Sequence, residues 1–189
     1  MPVRIIVLGE ACNITFELER HGLRGPSSIF EWHVIKDFDD VIRVIEMLRD
    51  GKDIFYTTKE DMPGNKFLVG LDIRTGHYEK VDYMEIMRRR AERFISDVKS
   101  ENKIVFVRYD ESELRLTTDQ VNRFNETILK INPNCVFKMA VFSPLRGFTS
   151  LVADRVVHAP FIEGYVEHSI MGCFDEEIPK IIKEAVDTD

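Results

Sequence analysis

The residues most suited to chemistry lie at Gly9-Glu10-Ala11-Cys12-Asn13, a turn between an apolar run and a helical pattern. A thiol at a strand-to-helix turn sits near backbone N–H groups that have no partner within the helix. Those donors, with the positive end of the helix dipole, favour thiolate over thiol and can receive an oxyanion beside it. A thiolate placed in this way is a nucleophile for acyl transfer or hydrolysis. It needs a neighbouring base or cation to bring its pKa down from about 8.5, and the base needs a third group to fix its tautomer. Cys12 is therefore the candidate nucleophile, with Glu10 and Asn13 as candidate binding residues beside it. Five histidines could supply the base; His158 has Asp154 four residues before it, in a late segment that could return to the site. Arg108, at the end of an apolar run, is the best single candidate for an anionic ligand group.

Each of these residues also has an ordinary structural reading. Free cysteine is among the most buried residue types, so Cys12, Cys135 and Cys173 could all be packing residues. Arg88, Arg89, Arg90 and Arg93 interleave with Glu85 and Glu92, the arrangement of surface pairs three or four apart on a helix. Phe30 and Trp32 read as core anchors. Glu31 between them needs a partner or an exposed position, and Arg24 or an arginine of the long helix could provide one. Neither nucleotide-binding glycine fingerprint occurs and no metal-ligand spacing is recognisable, so no cofactor and no metal is expected.

The elements that must position these groups follow from periodicity. Residues 4–8 read as a short buried strand broken by Gly9, and residues 12–21 as a helix carrying Ile14, Phe16 and Leu18, with Gly22 as its stop. Asp37 can cap a helix whose apolar positions repeat as far as Leu48. Residues 54–57 and 67–73 read as strands around a turn at 61–65, and residues 81–98 as the longest helix. Next come a buried strand at 103–109, a helix capped by Thr117 or Thr118 and ending at Ile131, and strands at 135–142 and 155–159. A closing helix begins at Asp175. This alternation predicts one α/β domain over residues 1–189. Its expected form is a three-layer sandwich with a mostly parallel central sheet and helices on both faces. Sites in such sheets gather where strand C-termini hand over to helices, which is where the Gly9 turn belongs.

Composition narrows the function classes. The chain has 189 residues, 44% hydrophobic and 31% charged, enough to bury a core without disulfides or metal. A net charge of -7 argues against general nucleic-acid binding. No apolar run approaches the roughly 20 residues of a membrane span, and the N-terminal apolar segment is too short for a secretory signal. Three widely spaced cysteines are expected to be reduced thiols, which implies a cytoplasmic setting.

Three ordered segments carry a family resemblance. They are the strand–Leu8-Gly9-x-x-Cys12 turn with its helix and Leu23 loop, the triplet Phe30-Glu31-Trp32, and the arginine-rich segment from Arg88 to Phe94 leading into Ile104-Val-Phe-Val-Arg108. Over roughly residues 4–110 the chain resembles a family of domains described as papain-like cysteine peptidases, otherwise of unknown function. The resemblance implies Cys12 as nucleophile and His77 as base, since His77 stands shortly before the arginine-rich helix where the family often has a histidine. Glu31 takes the place of the acid in the family's Phe-Asp-Trp, one methylene longer, and His77-Tyr78 replaces a usual His-Asp pair. The expected activity is a cysteine-dependent hydrolase, peptidase-like or acyl-transferring, with peptide- or glycan-related compounds as the substrate classes to consider. The alternatives are a non-enzymatic structural or interaction protein that keeps the fold and an accessory protein that binds an anionic sugar or nucleotide through Arg108 and the arginine helix. Substrate and oligomeric state stay open at this point.

Overall fold

A computed structural model of the chain describes residues 2–9, 13–52, 73–74, 83–110, 116–143, 153–158 and 176–188, with backbone alone at 73–74, 83–84 and 158. The elements in order are β1 (Val3–Val7), α1 (Asn13–Arg20), β2 (Val34–Ile35), α2 (Phe38–Arg49), β3 (Ile73–Arg74) and α3 (Tyr83–Lys99). They continue with β4 (Lys103–Tyr109), α4 (Thr118–Ile131), β5 (Phe137–Phe142), β6 (Val156–His158) and α5 (Glu177–Asp187). The central sheet runs β1-β4-β5-β6 with every pairing parallel, and β2 and β3 form a separate antiparallel pair.

Helices cover both faces of this sheet, as the alternation predicts. Alternate residues of β4 divide the core: Ile104 and Phe106 face α2, α3 and α4, while Val105, Val107 and Tyr109 face α1 and α5. All seven residues of β4 are buried, which suits a central parallel strand covered on both sides. The larger core is built around aromatic edge-to-face contacts. Phe106 meets Phe124 at 5.0 Å and Phe137 at 5.7 Å, and Phe94 meets Phe30 at 5.7 Å.

Local signals set most element ends. Asp37 caps α2 by accepting from Asp39 N, and Thr117 closes a capping box with Gln120 at the start of α4. In α1, Ile14 and Leu18 are fully buried one turn apart, but Phe16 is 44% exposed. A residue two positions on lies on the opposite side of a helix, so these three apolar residues do not form a single stripe. The strand expected at 135–142 begins at Phe137, because Cys135 N is used in a turn to Asn132 O. The last strand is shorter than expected: it starts after Arg155, whose φ is +69°. Of the strands expected at 54–57 and 67–73, only residue 73 falls within the described residues, in β3.

Lys103, at the start of β4, ties down the end of the chain. Its ammonium donates to Val186 O and Thr188 O, both at 2.6 Å, where α5 leaves carbonyls without helical partners. No helix among the described residues is long and apolar enough to cross a membrane.

Burial pushes the Cys135 thiol up from 9.0 to about 11, partly offset by the charge of Arg155. Because the folded pKa is the higher one, this contribution to stability is complete below the unfolded value and is lost as pH rises between 9.0 and about 11. Urea unfolding across that window should show an added loss of at most about 1.4 kcal/mol per pH unit that Cys135→Ala removes. An identical slope in the variant would rule out this linkage.

Candidate functional site

The polar groups of interest converge where β1 and β4 end. Gly9 follows β1 with φ +82°, and a β-carbon built there would lie 2.8 Å from Ile35 Cδ1 and 3.1 Å from Phe30 O. A side chain is therefore excluded both by backbone conformation and by space. This close approach locks the turn after β1 against the segment leading into β2. The same segment is bonded to the strand itself: Ser28 Oγ donates to Val7 O at 2.5 Å and accepts from Phe30 N and Glu31 N, each at 3.2 Å.

Arg108 closes this corner from the β4 side. Its side chain is fully buried, and its guanidinium donates to Leu8 O at 3.3 Å, Ile35 O at 2.8 Å and Lys36 O at 3.4 Å. It also lies over the Phe38 ring, 5.5 Å from the centroid. These bonds join the end of β1 to the end of β2, so the described role of Arg108 is to hold backbone in place at a position without solvent access. Asp110, two residues on and 1% exposed, supplies countercharge: its Oδ1 is 4.0 Å from Arg108 Nη2, and its Oδ2 accepts from Leu116 N at 2.9 Å.

Glu31 is 2% exposed, and its carboxylate pairs with Arg24 at 3.3 Å. Arg24 also donates to Ser27 Oγ at 2.9 Å and stacks over Trp32 at 5.5 Å. The imidazole of His33 meets the backbone carbonyl of Glu31 at 2.9 Å, not its carboxylate. Trp32 takes φ +68°, a conformation in which a bulky residue is strained. It is held there by the Arg24 stack and by an edge-on contact with Phe16 at 5.1 Å. Two arginines of the long helix anchor the same loop: Arg93 donates to Ser27 O at 2.7 Å and Arg90 to Ser28 O at 3.4 Å.

Among the sequence candidates, Asn13 opens α1, Glu31 lies in the loop bonded to β1 through Ser28, and Arg108 reaches the carbonyl of Leu8 just after β1. Glu10, Cys12 and His77 fall outside the described residues, as does Cys173; His158 ends β6, where its backbone pairs with Val141. Sequence reasoning passed over Asp110 and Ser28. For Asp110 a signal was present: Arg108 and Asp110 are charged residues two apart that follow the apolar run Ile104–Val107, where charge needs a reason. For Ser28 there was none, because a serine in a polar loop is unremarkable in composition. Among the described residues no three His, Cys, Asp or Glu side chains converge to hold a metal ion.

Replacing Arg108 by Met should cost about 3–5 kcal/mol in urea unfolding, since it leaves Asp110 buried without its countercharge and removes the guanidinium bonds to three carbonyls. Arg108→Lys should recover only part of this, because an ammonium cannot span the same acceptors as a planar guanidinium. A loss below about 1 kcal/mol for the Met variant would show that the clamp is not needed.

The comparisons with known proteins give no match: no protein-family model, no curated protein and no solved structure matches this chain.

Proposed function

We propose that the protein is a cysteine-dependent hydrolase or acyl transferase, with Cys12 as nucleophile and His77 as base. One observation carries this reading. Ile35 packs on Gly9, and the antiparallel β2–β3 pair sets Ile73 opposite Ile35 and Arg74 opposite Val34, so the described residues that precede Cys12 and His77 are both held by the β2 segment. Cys12 is three residues beyond Gly9 and His77 three beyond Arg74. At ~3.3–3.6 Å per extended residue, covalent geometry keeps each Cα within about 11 Å of its described anchor.

The imidazole takes the thiol proton, the thiolate attacks an acyl carbon, and N–H donors at the start of α1 face the developing oxyanion. The imidazolium then returns its proton to the leaving group, and water or another acceptor releases the acyl-enzyme. The corner lies at the C-terminal edge of a parallel sheet, where α/β folds place their sites. Rigid support is already built in, since Arg108, Ser28 and the α3 arginines fix the surrounding backbone.

The test is competitive alkylation of the native protein by iodoacetamide at neutral pH, read per cysteine by peptide mass spectrometry. Cys12 should react at least about tenfold faster than Cys135 or Cys173, and His77→Ala should remove the difference. Equal, slow labelling of all three thiols would instead favour a non-enzymatic protein that keeps the fold.

A further inference from the structure

A groove between the end of α2 and the outer face of α3 has no part in the chemistry above, and we propose that it docks an acidic, amphipathic segment of a partner protein. Its volume is about 940 Å³, and its apolar lining is Leu48, Ala91 and Ile95. Ala91 belongs to the core, while Leu48 and Ile95 pack against that core and stay partly open. Arg88, Lys52 and Lys99 are exposed along the same groove, with Glu92 as the acid among its described lining. Arg88, Ala91, Ile95 and Lys99 recur at three- and four-residue spacing, so they share one face of α3. The groove lies at the end of the sheet away from Arg108, because Lys99 and Ser100 come just before β4 begins at Lys103.

Charge and extent choose the occupant. The Lys52 and Lys99 ammoniums make no hydrogen bond or ion pair among the described residues. Lys99 ends α3, where a cation suits the helix dipole. Lys52 acts on Asp50 only as a nearby charge, since that carboxylate is bonded to Arg49 at 2.8 Å. Neither role brings a carboxylate into contact with either lysine. In a chain of net charge -7, a lining with more cations than acids reverses the sign locally, and such a patch attracts acidic partners. Arg88 and Lys99 are about three turns apart on α3, roughly 16 Å along its axis, too far for one anionic group to meet both. Acidic residues spaced along a helix can meet both and still turn an apolar face onto Leu48, Ala91 and Ile95. A nucleic acid would leave that apolar floor uncovered. The surface also continues: Lys99 and Ser100 line a second hollow of about 400 Å³ that reaches Val136. Glu101 lies there, with Asn102 and Asn134, whose side-chain amides make no hydrogen bond among the described residues. The acidic residues of the partner therefore belong beside α3, and the polar backbone that follows them belongs against the asparagines.

The experiment titrates the full, isotopically labelled chain with a synthetic leucine–glutamate peptide of about four helical turns, its leucines at three- and four-residue spacing. A counterpart with lysine for every glutamate serves as the control, and affinities are read by fluorescence anisotropy. The acidic peptide should shift the amide signals of Ala91, Ile95 and Lys99 and bind at least about tenfold more tightly than its basic counterpart. Lys52→Glu combined with Lys99→Glu should weaken it by about tenfold; both side chains are exposed, so the variant keeps its fold. No binding up to about 1 mM, equal binding of the two peptides, or shifts confined to other surfaces would overturn the proposal. Tighter binding of an oligothymidylate at the same amides would overturn it in favour of a nucleic acid. Shifts of those amides that grow with protein concentration alone would overturn it in favour of a second copy of the chain. Each outcome is independent of Cys12 and leaves that reading to its own test.

Discussion

A fully buried guanidinium holds the described corner of this fold together. Arg108 would be a costly residue to bury alone, since removing a charge from water is repaid only by close and well-directed partners. It finds them in the carbonyls of Leu8, Ile35 and Lys36, with Asp110 as countercharge and the Phe38 ring above. Those carbonyls belong to two different chain segments, so one side chain joins the exit of β1 to β2. The Gly9–Ile35 contact and the Ser28 hydroxyl complete the junction. Several weak restraints act at the same place, which is how a short loop reaches the rigidity of a core.

Around this junction the polar groups divide into two sets. Arg24, Glu31, Trp32 and His33 form a cluster on the outer side of the Ser28 turn, where strain at Trp32 is balanced by stacking and charge pairing. Arg108 and Asp110 form the inner set, under the end of β1. The two carboxylates differ in their surroundings more than in their burial. Glu31 meets a guanidinium directly, whereas Asp110 meets one only at a distance and shares it with carbonyl oxygens.

The α/β architecture could be read from the chain because its signals are local. Seven buried residues in β4, the Asp37 cap and the Thr117 box are visible in the order of residue types. The exceptions have simple causes. Phe16 is apolar, yet its two-residue spacing from Ile14 and Leu18 turns it outward. Cys135 looked like the first strand residue, but its N–H is spent on a turn. The site was less legible, since hydrogen bonds such as Arg108 to Ile35 span 73 positions and leave no periodic trace. The need of Glu31 for a cationic partner was readable from charge among aromatics, and Arg24 meets it. That Asp110 Oδ1 has no hydrogen-bond partner among the described residues depends on a three-dimensional count of donors that no sequence pattern encodes.

The parallel pairing of β1 with β4 has a consequence for how the chain comes into being. Val3 pairs with Lys103 and Val7 with Val107, so the first strand must wait about a hundred residues for its partner. At synthesis rates of ~5–20 residues per second that is roughly 5–20 s during which Ile6, Val7 and Leu8 have no strand to pair with. Loop closure over this length must precede the contacts that reward it, which makes for slow folding and a period open to self-association. Arg108 emerges only at the end of β4, so the strand and the clamp that secures it arrive together. β1 is thus made well before it can be fixed, and a chain halted before residue 103 would present this apolar strand without β4 to pair with.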